Sequence, residues 1–108
     1  MQKSTTKHYW VYILLCDNGS YYTGYTDDLA KRYNSHLKNT GGCKYTRSFK
    51  PLRIAQCWTI TGDKAFAMQI ERYIKKLSRA EKESLIFSPN TLSEDPRVKT
   101  VEDKEAYF

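Results

Sequence analysis

The feature that most constrains this chain is a tight turn set between two β-prone runs. Tyr9 to Cys16 is almost wholly aromatic, β-branched or aliphatic, the signature of a strand. Asp17-Asn18-Gly19-Ser20 follows, with Asn-Gly at its centre. Asn and Gly tolerate the positive φ that two-residue hairpin turns demand, so this tetrapeptide reverses the chain. Tyr21 to Tyr25 then returns as a second, short strand. A hairpin this well specified needs further elements to cover its apolar first strand.

The following segments supply them. Thr26 is read as a helix N-cap, with Asp27 and Asp28 placing negative charge on the first turn. Leu29, Arg32, Tyr33, His36 and Leu37 then repeat at helical spacing, and Gly41-Gly42 stops the helix after about Asn39. Leu52 to Ile60 is β-rich and closes with Thr61-Gly62-Asp63. Lys64 to Leu77 reads as a helix whose stripe is Phe66, Ile70, Tyr73, Ile74 and Leu77. Ser78-Arg79-Ala80-Glu81 is a capping box opening a third helix to about Phe87. The expected order is ββαβαα, an α+β fold with a small antiparallel three-stranded sheet flanked by helices. Residues 1–8 are expected as an N-terminal extension and 9–87 as the domain. Residues 88–108 are expected as a loosely held acidic tail, because helical and strand periodicity fail after Pro89.

Length and composition narrow the class. The chain has 108 residues, one domain's worth, with 40% hydrophobic and 28% charged residues, an ordinary globular mix. The longest apolar run, around Trp10 to Cys16, is strand length and far short of a membrane span. The residues before it contain no apolar signal segment. Cys16, Cys43 and Cys57 are odd in number and form no C-x-x-C pair, which fits a reducing cytoplasm and argues against a zinc site. A cytoplasmic monomer is the expectation.

Charge points to a partner. The formal net charge is +6, but residues 87–108 carry three bases against five acids, so the first 86 residues hold a net +8. Ala30 to Gly62 contains no Asp or Glu at all. Its Lys31, Lys38, Lys44, Arg47, Lys50 and Arg53, interleaved with Tyr45, suit a nucleic acid, since cations displace phosphate counterions and aromatic faces stack on bases. A solvated basic surface that aids solubility is the plainer alternative.

One ordered set of residues adds chemistry. Tyr12 lies in Trp10-Val11-Tyr12 on the first strand, and Tyr22 opens Tyr22-Thr23-Gly24 on the second. Antiparallel pairing can bring the two near each other. Arg32 and His36 share one helical face, and Glu71 lies within the later helix. Taken singly, each has a structural reading: Tyr12 as core, Arg32 paired with Asp28, Glu71 paired with Lys75.

As a set, these residues resemble the GIY-YIG nuclease superfamily over about Tyr9 to Ile86, and its small stand-alone bacterial members in particular. Trp10-Val11-Tyr12 stands at the first motif and Tyr22-Thr23-Gly24 at the second. Arg32, His36 and Glu71 stand at the helix arginine, the following histidine or tyrosine, and the metal-binding glutamate. The resemblance implies a metal-dependent endonuclease that hydrolyses phosphodiester bonds in DNA and is linked to repair or recombination. With no room for a separate targeting module, its substrate would be a structure such as a nick, flap or branch. It implies Tyr12 as general base, which needs neighbouring cations to act below the ordinary tyrosine pKa of ~10. Tyr22 would position water or phosphate, and Arg32 would hold phosphoryl oxygens. His36 would assist proton transfer or contact phosphate, and Glu71 would hold one Mg²⁺ or Mn²⁺. The chain departs from the pattern twice: Tyr25 stands where many members carry a lysine, and the third helix lacks an asparagine, the nearest being Asn90. The alternatives are a catalytically weak or idle nucleic-acid-binding module using the face from Lys31 to Arg53, and a protein-interaction domain with an acidic partner. RNA is as open as DNA on charge alone.

Overall fold

The computed structural model describes residues 8–37 and 49–101. Lys38, Cys43, Lys44, Tyr45 and Arg47, and the segment expected to end the first helix, lie outside them. The described elements run β1 (His8–Cys16), β2 (Tyr21–Thr26), α1 (Leu29–Leu37), β3 (Pro51–Thr61), α2 (Lys64–Lys75) and α3 (Arg79–Phe87). A 3₁₀ helix (Pro89–Glu94) and β4 (Val98–Thr100) follow.

The hairpin forms as the sequence dictates. Gly19 takes φ of 83°, open to glycine and costly for most residues. The Asn18 Oδ1 accepts hydrogen bonds from the Ser20 backbone N–H at 3.1 Å and from Ser20 Oγ at 2.6 Å. The resulting register sets Tyr12 opposite Gly24 and Leu14 opposite Tyr22.

The sheet has four strands, in the order β2-β1-β3-β4, all pairs antiparallel. The three-stranded expectation is corrected by Val98–Thr100, which pairs with Trp58 to Ile60. The expected loose tail is likewise held down through residue 101. Trp58 Nε1 donates to the Pro89 carbonyl at 3.0 Å, Val98 is buried, and Arg97 stacks 3.7 Å from the Phe66 ring centroid. A three-residue strand carries too little periodicity to be seen locally. It exists because the long β3 offers it an edge to pair with.

Helices cover both faces of the sheet, which is why β1 is apolar without alternation. Tyr12, Leu14 and Cys16 pack with Leu29, Ile54 and Cys57 beneath α1. Val11 and Ile13 pack with Trp58, Ile60, Phe66, Ala67, Ile74 and Leu85 beneath α2 and α3. Fully burying each such large side chain is worth ~1.5–3 kcal/mol. A bulge at Ala55, between the pairs Ile13–Gln56 and Leu14–Ile54, shifts β3 by one residue so that both faces stay filled.

Helix caps follow the sequence with one correction. Ser78 and Glu81 make the expected capping box of α3, and Asp63 caps α2 through the Phe66 N–H. At α1 the cap is Asp28, whose Oδ1 accepts from the Lys31 N–H at 3.1 Å. Thr26 acts one step earlier, its Oγ1 accepting from the Asp28 N–H.

Candidate active site

The cleft forms at the β2 edge of the sheet, where α1 comes over one face and α2 over the other. It encloses about 580 Å³. Tyr12 and Tyr22 from the hairpin, Arg32 from α1 and Glu71 from α2 all line it. Four of the residues singled out from the sequence are thus brought together from four elements.

Gly24 explains how a core tyrosine reaches this edge. A Cβ at position 24 would fall 2.6 Å from Tyr12 Oη and 2.8 Å from Tyr12 Cζ. The Tyr12 ring therefore lies across the bare backbone of Gly24, with its hydroxyl carried towards the outer strand. Tyr12 itself is 1% exposed. The glycine of Tyr22-Thr23-Gly24 thus serves close approach.

His36 is also fully buried, and shares a hydrogen bond of 3.0 Å between its Nε2 and Tyr12 Oη. Its ring stands edge-on to both tyrosines, with centroids 5.9 Å from Tyr12 and 5.3 Å from Tyr22. Burial, then the Arg32 charge one helical turn away, drives the His36 pKa down to about 4. The imidazole is neutral at physiological pH. At Arg32 burial works against the charge, but hydrogen bonds and attraction to Tyr12 and Tyr22 prevail, and the guanidinium is held above its ordinary value. Tyr12 Oη is therefore clasped between a neutral imidazole and a permanent cation.

Glu71 pairs with Lys75 at 3.5 Å, the i,i+4 contact its spacing allows. Lys75 is half exposed, so the pair is worth only ~0.3–0.5 kcal/mol and does not withdraw Glu71 from other ligands. Among the described residues no cluster of three His, Cys, Asp or Glu side chains could hold a metal. That donor set is wrong for zinc, but it fits a hard, hydrated cation, which needs one or two carboxylates and completes its shell with water and substrate phosphate.

Several expected contacts lie elsewhere. Lys31 is exposed on α1, and Lys50 and Arg53 are exposed at the turn end of the hairpin, beside Asp17 and Leu15. None of these three lines the cleft. Asn90 Oδ1 accepts from Thr100 Oγ1 in the β4 region, and does not enter the cleft either. Conversely, Tyr9, Tyr25, Thr26, Asp27 and Lys64 line the cleft without having been singled out as site residues. Lys64 was legible in principle, since it precedes Glu71 by seven residues and so shares its helical face.

The fold and this arrangement define a domain of nuclease type. Residues 8–84 match the family model of the GIY-YIG catalytic domain, and the chain belongs to that family. Its relatives include a UPF0213 protein of Halalkalibacterium halodurans, 43% identical over 79 residues, covering 73% of this chain and 82% of the relative. A UPF0213 protein of Bacillus licheniformis is 46% identical over 85 residues, covering 76% and 81%. One of Halobacterium salinarum is 45% identical over 76 residues, covering 69% and 95%. Among solved structures, the solution NMR structure of a UPF0213 protein from Bacillus halodurans is similar with a TM-score of 0.48 at 40% identity, over 82% of this chain and 88% of that one. No helix among the described residues is long and apolar enough to cross a membrane.

Proposed function

We propose that the protein is a divalent-metal-dependent endonuclease that hydrolyses phosphodiester bonds in DNA, directed by nicks, flaps or branches and serving repair or recombination. The observation that carries this reading is the clasped Tyr12 hydroxyl, set in one cleft with Tyr22, Arg32 and Glu71.

Hydrolysis requires a base for the attacking water and donors for the charge that develops on the phosphoryl oxygens. With His36 protonated on Nε2, both it and Arg32 donate towards Tyr12 Oη and favour its anionic form. The phenolate oxygen takes the proton of the attacking water. A neutral imidazole with a pKa near 4 is a poor final store for that proton, so His36 orients and stabilises Tyr12 instead of replacing it as base. The Arg32 fork also reaches the phosphoryl oxygens, the form of charge stabilisation that typically supplies 10²–10³ in rate. Tyr22 fixes the other side of the reacting group. Glu71 would hold the Mg²⁺ or Mn²⁺, which when bound supplies charge neutralisation at the leaving oxygen.

The test is a panel of plain, nicked, flapped and branched DNA, with an RNA strand beside it, incubated with Mg²⁺, Mn²⁺ or EDTA. Cleavage that needs the metal, prefers an interrupted or branched substrate and vanishes in Glu71→Ala is expected. Cleavage that persists in EDTA, or survives in Glu71→Ala, would remove the metal-dependent reading.

A further inference from the structure

We propose that Lys64 is a phosphate-binding residue of the cleft, gripping a nucleic-acid phosphate oxygen from the wall opposite Arg32. The inference rests on the nuclease reading for its ligand and goes beyond it in assigning a residue from a different element.

Three observations converge on this side chain. First, Lys64 lines the same concavity as Tyr12, Tyr22, Arg32 and Glu71. Arg32 enters from α1, which packs over the Tyr12 and Leu14 face of β1, whereas Lys64 enters from α2, which packs over the Val11 and Ile13 face. The two cations thus approach the β2 edge from opposite faces of the sheet. Second, Lys64 is the first residue of α2, where the helix dipole already places about half a positive charge and disfavours an ammonium. The nearby Asp63 carboxylate is engaged as the N-cap by the Phe66 N–H at 3.0 Å. The ion pairs Lys75–Glu71, Arg79–Glu83 and Arg97–Asp95 do not involve Lys64. The fold therefore presents a cation at this cleft wall with no ion-pair partner in the described structure that would account for it. Third, Lys64 and Glu71 lie seven residues apart, two turns or about 10.5 Å along one helical face. A phosphate held at Lys64 therefore sits along the strand from one held near Glu71, so that a single α2 face tracks the backbone of a bound nucleic acid. A lysine suits the task, since its ammonium is a point charge that accepts oxygens over a range of angles.

Two measurements test this on the full chain, using Lys64→Ala, Lys64→Arg and, as an equal charge loss, Lys82→Ala on α3, which does not line the cleft. The first is binding of a short fluorescent DNA duplex in EDTA as a function of salt. Lys64→Ala should flatten the log–log salt slope by about one, while Lys64→Arg and Lys82→Ala should leave it near wild type. The second is single-turnover cleavage with Mg²⁺, where Lys64→Ala should lose on the order of tenfold or more and Lys64→Arg should recover most of it. If the wild type cuts and Lys64→Ala matches Lys82→Ala in both measurements, Lys64 has no phosphate and the proposal falls while the nuclease reading stands. If the wild type does not cut but Lys64→Ala alone flattens the slope, the phosphate assignment stands and the nuclease reading falls.

Discussion

The two edges of the sheet are built for different purposes. At the β4 edge the chain closes on itself: Val98 is buried, Trp58 Nε1 donates to the Pro89 carbonyl, and Thr61 N–H donates to the Arg97 carbonyl. At the β2 edge the packing stops short. Gly24 withholds a side chain, and the space it leaves is filled by the hydroxyl end of Tyr12. Buried polar groups are concentrated on that side, with His36 fully enclosed against the same tyrosine. One edge spends its residues on apolar closure, the other on holding polar atoms at fixed positions beside open space. A domain of this size has little interior to spare, so the site shares β1 with the packing on both faces of the sheet. Tyr12 and Val11 are neighbours in sequence, yet they serve opposite faces and opposite purposes.

This division can be broken from either side. After loss of the Tyr12 hydroxyl itself, the largest effect should come from Gly24→Ala. The added Cβ collides with the Tyr12 hydroxyl, and overpacking of this kind costs ~1–3 kcal/mol. A displacement of about 1 Å at a reacting group costs ~10²-fold in rate. Cleavage should therefore fall ~10²-fold in protein that still folds by circular dichroism; an unimpaired rate would mean that Tyr12 is not positioned by the bare backbone. Val98→Ala at the other edge should do the reverse. It should lower unfolding free energy in urea by roughly 1–3 kcal/mol through lost burial and a cavity, and leave cleavage of the folded protein unchanged. A rate loss as large as that of Gly24→Ala would erase the distinction between the edges.

The smallest effect concerns pH. The folded His36 pKa is near 4, below its unfolded value of ~6.5, so between those values the unfolded chain binds more protons than the folded one. Stability from this residue is complete above pH ~6.5 and is lost as pH falls through that window towards 4. Urea midpoints measured across it should drop on acidification in the wild type, and less steeply in His36→Asn. Parallel curves would show that His36 does not titrate as its burial requires.

Much of the β2 edge was legible in the residues themselves. The hairpin follows from Asn18-Gly19, and helical spacing places Arg32 and His36 on one face. That Tyr12 and His36 would be hydrogen-bonded and buried was not legible, because spacing gives a face and not a depth. The β4 edge was illegible for another reason. Val98–Thr100 carries no pattern of its own, and its strand character is conferred by Trp58 to Ile60, forty residues earlier. Spacing alone puts Lys64 on the Glu71 face of its helix, but only the packing of α2 across the sheet from α1 makes that face a wall of the cleft. The basic stretch divides between two places. Lys50 and Arg53 are close to Arg32 in charge pattern, but the chain delivers them to the turn end of the hairpin, away from the cleft.

The most direct test of the account is the single-turnover cleavage rate of Tyr12→Phe with Mg²⁺, on whichever DNA structure the wild type cuts fastest. The substitution removes one oxygen and keeps the ring that fills the core. A loss of ~10²–10⁴-fold is expected of a general base, with the fold retained. A rate within a few-fold of wild type would show that the clasped hydroxyl takes no part in the chemistry.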